Sequence, residues 1–178
     1  MMAAFVVDVN VAITANGRHK RATALHRLAC IQALRMAREG IICVDSDDHI
    51  LKEYRNNLSM SGQPGPGDEF MYWIHQNQHN EMVCERVCIP ECTDGDLGFE
   101  HFPEDPDLRG FDPSDRKYVA VALGSANSPE ILNATDPDWW HFREALSRNG
   151  VRIRFLCPEL MEDSTTVRSR NRIGHEGP

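Results

Sequence analysis

The sequence has no acidic residue from Arg18 to Arg38, no basic lead before its N-terminal apolar run, no internal repeat and no paired cysteine pattern. Each absence removes a class of protein. Without a basic lead, and with Asp8 cutting the run MMAAFVVDVNV, the N-terminus reads neither as a signal peptide nor as a membrane span. The expectation is a cytoplasmic protein with no membrane partner. Six cysteines in such a chain read as reduced thiols and not as a disulfide framework. Cys84, Cys88 and Cys92 lie near His79 and His101, but their even spacing is not the pairing of a zinc site. Core thiols are the simpler reading.

At 178 residues and 41% hydrophobic, the chain can bury a real core, and its Pro and Gly gather in a few turn-like stretches. One compact domain over residues 1–161 follows, with an acidic loop at 91–111 and a polar, basic tail at 162–178. The net charge of −8 is unevenly spread. Sixteen Asp and Glu face four Lys and Arg between Asp45 and Asp112, whereas Arg18 to Arg38 holds six Lys and Arg and no acid. An acidic centre beside a basic flank suits a metal-dependent enzyme acting on phosphates, and it equally suits a plain solvated surface.

The run FVVDVNVAI, residues 5–13, is β-branched and apolar enough for a strand buried on both faces. Residues 20–38, rich in Ala, Leu and Arg, predict a helix stopped by Gly40. A strand over 41–45, a helix from His49, a turn-rich connector, a helix over 69–77 and a strand over 82–89 follow. Beyond the acidic loop come a helix over 113–126, a strand over 130–135, a helix around DWWHFREALSRN and a final strand VRIRFLC. This alternation predicts an α/β sandwich around a mainly parallel sheet.

In parallel sheets functional groups gather outside the carboxyl ends of the strands. Four acids fit that place: Asp8 within the first strand, Glu53 one turn into the helix after the second, Asp115 opening the helix over 113–126, and Asp136 ending ILNATD. A buried carboxylate is costly without a cation, and no matching set of lysines or arginines is expected in the core. Mg²⁺ or Mn²⁺, which take oxygen ligands and keep several waters, are the natural partners. Simpler roles compete at several positions. Asp112 reads as a helix cap ahead of Pro113, and Asp136-Pro137-Asp138 also reads as a turn. Thr135 could position a water or merely fill the strand, and Asn10 could bond the site or close the strand end. Trp139 and Trp140 read as packing anchors.

Taken in order, VVDVNV, DHILKEYRNNL, DPSDRKYVAVAL and ILNATDPDW resemble the acidic motifs of the PIN-domain nucleases, over roughly residues 4–157. The resemblance implies a three-layer α/β/α fold and Mg²⁺- or Mn²⁺-dependent hydrolysis of phosphodiesters, mostly in RNA. It implies Asp8, Glu53, Asp115 and Asp136 as catalytic metal ligands, with Asn10, Thr135 and Asp138 in support. The nucleophile would be a metal-activated water, so the chemistry does not itself exclude DNA. A phosphatase of the haloacid-dehalogenase class also begins with an acid-bearing strand, but Asn10 stands where its second aspartate belongs. Two further roles stay open: the toxin of a toxin–antitoxin pair, with an antitoxin as partner, and a PIN-like module that binds without cleaving.

On the helix over 20–38, Lys20, Arg27, Arg35 and Arg38 share a face with Leu28 and Ile31. Such a face suits a nucleic-acid backbone or a protein partner, and the two aliphatics favour a homo-oligomer. Arg168, Arg170 and Arg172 of the tail could add phosphate contacts.

Overall fold

The computed structural model describes residues 2–61, 63–93 and 98–162. Strands β1 (Ala4–Val7), β2 (Ile41–Asp45), β3 (Cys84–Val87), β4 (Glu130–Asn133) and β5 (Arg152–Phe155) form one all-parallel sheet in the order β3-β2-β1-β4-β5. Between them run helices α1 (Val9–Ala15), α2 (Ala24–Arg38), α3 (His49–Asn57), α4 (Pro66–Asn77), α5 (Arg116–Gly124), α6 (Pro137–His141) and α7 (Arg143–Arg148). The chain steps outward from β1 through β2 to β3, then returns to the other side of β1 to lay down β4 and β5. Right-handed crossovers place helices reached in opposite directions on opposite faces. Accordingly α1, α2 and α4 pack on one another, while α5 lies across β1, β2 and β4. Helices therefore cover both faces of the sheet.

The reversal at β1 leaves a crevice between the carboxyl ends of β1 and β4, where the loops after these strands diverge to opposite faces. The core that supports it is dry. Val6, Val11, Ala12, Ala15, Ile42, Val44, Val121, Ile131 and Leu132 are fully buried. Helices α1 and α4 approach so closely that a Cβ at Gly67 would stand 2.2 Å from the Ala12 carbonyl oxygen. Only a glycine fits there.

Several boundaries differ from expectation. The first strand stops at Val7, and Val9–Ala15 is helical, so Asp8 lies at the strand's end and not inside it. The reason is the Asp8 side chain, which accepts the Asn10 N–H and caps α1, while burial of Val9, Val11 and Ala12 overrides the strand preference of a β-branched run. Helix α2 begins at Ala24 behind a Thr23–His26 capping box, which leaves Lys20 outside it. Pro113–Asp115 is a single 3₁₀ turn capped by Asp112, and α5 starts only at Arg116. The acidic loop is anchored: Phe99, Phe102, Leu108 and Phe111 are buried, and a Glu91–Phe99 bridge closes part of it. All six cysteines are free thiols. Among the described residues no helix is long and apolar enough to cross a membrane. Arg168, Arg170 and Arg172 lie outside the described residues.

Candidate active site

At the crevice, four elements bring carboxylates together. Asp8 follows β1; its Oδ1 accepts the Asn10 N–H at 2.9 Å and its Oδ2 accepts the Asn133 amide at 3.1 Å. Asn133, the last residue of β4, also accepts the Asp136 N–H at 3.3 Å. One amide side chain thus ties the two strand ends to each other. Asn10 is turned to the same loop, where its Oδ1 accepts the Ala134 N–H at 2.8 Å. Asp136 caps α6 through the Asp138 N–H at 2.9 Å, and Thr135 lies half-buried just before it. The carboxyl of Asp115, at the entry to α5, adjoins that of Asp136, near enough for the two to share a proton.

Glu53 closes the group from α3. Its Oε2 accepts the Tyr118 hydroxyl at 2.7 Å and pairs with Lys117 Nζ at 2.7 Å. Tyr118 in turn accepts the Val9 N–H at 3.3 Å, so one phenol fixes Glu53 and the start of α1 together. Lys117 is buried, donates to the Ser114 carbonyl, and lies 4.7 Å from the Tyr118 ring centroid. The sequence predicts no matching set of lysines or arginines in the core; one buried lysine, Lys117, stands inside the acid group and pairs with Glu53. Tyr54 forms the remaining wall, its hydroxyl donating to the Val7 carbonyl.

One lysine against four carboxylates leaves the group short of positive charge. Burial pushes the Asp8 carboxyl up to about 7, with Glu53 and Asp136 adding to the rise while the Asn10 N–H and Lys117 oppose it. Burial pushes Asp115 further, to about 9, and the charges of Asp8 and Asp136 add to it. Asp136 is raised as well, again chiefly by burial. Other buried acids are satisfied differently. Asp45 accepts the His49 and Ile50 N–H groups at 2.7 and 2.8 Å, and Asp68 accepts those of Ser59 and Gly65 at 2.7 and 3.1 Å. Those two serve helix ends. Asp8 and Asp136 also cap helices, but they do so beside Glu53 and Asp115, whose charges or carboxyls act on theirs.

All donors at the crevice that could hold a cation are oxygens, the chemistry of hard ions such as Mg²⁺ and Mn²⁺. Among the described residues no three carboxylate, imidazole or thiolate groups meet closely enough to make a ready-made cage. An ion that keeps much of its water, as Mg²⁺ does, needs only one or two carboxylates.

The site residues that sequence reasoning missed are Lys117, Tyr118, Tyr54 and Asn133. Tyr118 and Lys117 lie in the quoted DPSDRKYVAVAL stretch, and Asn133 in ILNATD, so their neighbourhood to Asp115 and Asp136 was the available signal. The basic face of α2 is partly used up within the fold. Arg27 Nε donates to the Ala15 carbonyl at 2.9 Å, and Arg38 pairs with Glu69 at 3.1 Å and covers the Trp73 ring at 5.3 Å. Ile31 is half-buried, while Arg35 and Leu28 are exposed beside Leu25, the more exposed leucine at 76%. Trp139 is fully buried and Trp140 half-buried. The chain matches no protein-family model, no curated protein and no solved structure.

Proposed function

We propose that the protein is a divalent-metal-dependent phosphodiester hydrolase of the PIN-domain type, acting on RNA. The observation that carries this reading is the gathering of Asp8, Glu53, Asp115 and Asp136 around the β1/β4 crevice, with Lys117 the one cation paired with them among the described residues. A buried group of like charges is held apart from its stable state until a cation arrives, and strongly raised carboxyls in a crevice mark functional positions. Mg²⁺ or Mn²⁺ bound there would lower the pKa of a water and offset charge on the phosphate oxygens.

The chain's own residues supply the rest. Asn133 and the Asn10 N–H hold the Asp8 carboxylate in one orientation, and Tyr118 with Lys117 does the same for Glu53. Burial favours the protonated form of Asp115 beside Asp136, and a cation held there would displace that proton. The choice of RNA over DNA rests on the family resemblance. A role as toxin, with an antitoxin partner, belongs to the same chemistry. Incubation with a long single-stranded RNA tests the reading: cleavage in Mg²⁺ or Mn²⁺ and none in chelator is expected, and full cleavage in chelator would overturn it.

A further inference from the structure

Between α7 and the edge strand β5 runs a groove of about 720 Å³, lined by Arg143, Arg148, Arg152, Glu130, Glu144 and Phe155 among others. In a chain of net charge −8 this is a local surplus of arginine. Two of the groove's charges are already matched: Glu130 pairs with Arg154 at 2.6 Å, and Arg148 grips Asp105 and Asp107 at 2.8 and 2.5 Å. Among the described residues Arg143 meets one carboxylate, the outward-lying Glu144, at 4.0 Å. Arg152 bonds the Ser128 carbonyl, and among the described residues no carboxylate pairs with it. The guanidinium groups of Arg143 and Arg152 are therefore the positive charges the groove offers to a ligand.

Arg143 is also pre-ordered. Its guanidinium lies over the Trp140 ring, 4.3 Å from the centroid, and donates to the Trp140 carbonyl at 2.6 Å. Trp140 is braced edge-on by Phe155, with ring centroids 5.1 Å apart. A fixed guanidinium plane backed by an indole is a surface on which an unpaired nucleobase stacks, and such stacking tolerates any base. At its Phe155 end the groove reaches the carboxyl end of β5, the same end of the sheet as the crevice. Phe155 pairs in register with Asn133, the residue that bonds Asp8, and α6, which carries Trp140, is capped by Asp136.

We propose that this groove is the substrate track, binding single-stranded nucleic acid with a base on the Arg143–Trp140 stack and a phosphate on Arg152, so that the adjoining strand enters the carboxylate crevice. The inference rests on the hydrolase reading for its consequence, but its binding step can be measured alone. Stacking on a guanidinium plane needs an unpaired base, which a single strand offers and a duplex does not. A peptide strand added to the β5 edge is the competing occupant.

The test uses full-length protein carrying Asp115→Asn and a fluorescein-labelled single-stranded RNA of roughly twelve nucleotides, read by anisotropy. Adding Arg143→Gln and Arg152→Gln should weaken binding by about tenfold or more and reduce the salt slope by about 0.7, the share of the one phosphate contact that Arg152 makes. Arg143→Lys should retain the slope yet bind more weakly, because charge is kept and the stacking plane is lost. Melting temperatures of all variants should match the parent, as both arginines are at the surface. Unchanged affinity and slope in the Gln variant, no binding by the parent, or equal affinity for duplex RNA would each overturn the track. Cleavage by unaltered protein is scored separately. Cleavage with groove-insensitive binding overturns the track alone, whereas groove-sensitive binding without cleavage in Mn²⁺ overturns the hydrolase reading alone.

Discussion

The carboxyl groups of Asp115 and Asp136 adjoin across the opening between α5 and the end of β4, near enough to share a proton. Two carboxyls placed in this way hold at least one proton between them. In water neither would keep it at neutral pH. Here burial, together with the charges of Asp8 and Asp136, holds the Asp115 proton up to about 9.

The first prediction follows from linkage in the metal-free protein. Asp115 releases its proton near 3.8 when unfolded and near 9 when folded, so its contribution is fully present below the unfolded value and is lost as pH rises toward 9. Asp115→Asn removes that loss. In chelator the variant should melt higher than the parent at about pH 8, with a flatter dependence on pH, by about 1 kcal/mol or more. A lower melting temperature for the variant would show that Asp115 is a structural residue.

A second prediction concerns the cation. Mn²⁺ at about a hundredfold excess over its dissociation constant should stabilise the fold by about 2.7 kcal/mol. Since the carboxyls must lose protons to bind it, the thermal shift should grow from about pH 6 to about pH 8.5. The direction follows from Asp8 and Asp115, raised to about 7 and about 9. A shift that shrinks with pH would place the ion elsewhere.

Tyr118→Phe tests the brace behind the site. It removes the donor to Glu53 and leaves the Val9 N–H without its acceptor. A stability loss of about 1–3 kcal/mol is expected for the orphaned N–H. Activity should fall by about tenfold or more through Glu53 losing its orientation. Stability loss with full activity would mean that Lys117 alone positions Glu53.

How far the sequence reveals this site depends on which interactions are local. The α/β alternation is legible because the strands are runs such as IICVD, whose β-branched residues are buried on both sides of the sheet. Asp8 as a cap is harder to see. Val9, Val11 and Ile13 favour strand on their own, and only their packing against α2 and α4 makes them helical. Lys117 is hidden for a related reason. Arg116-Lys117 reads as exposed helix surface, yet α5 lies between the sheet and the acidic loop and buries both side chains. The partner that makes Lys117 part of the site, Glu53, lies on α3, far away in sequence. The Asn133 amide has no sequence signature beyond its nearness to Asp136, since its role comes from β4 lying beside β1.

The most direct measurement compares Mn²⁺-dependent cleavage of one single-stranded RNA by unaltered protein, Asp112→Ser and Asp115→Asn. Asp112 caps the Pro113–Asp115 turn through the Ser114 N–H at 2.8 Å, a bond that serine can replace, whereas Asp115 reaches Asp136. Asp112→Ser should cleave at close to the unaltered rate. Asp115→Asn should stay folded and lose cleavage by about a hundredfold or more. Equal cleavage by folded Asp115→Asn and unaltered protein would contradict the assignment of the catalytic site to the β1/β4 crevice.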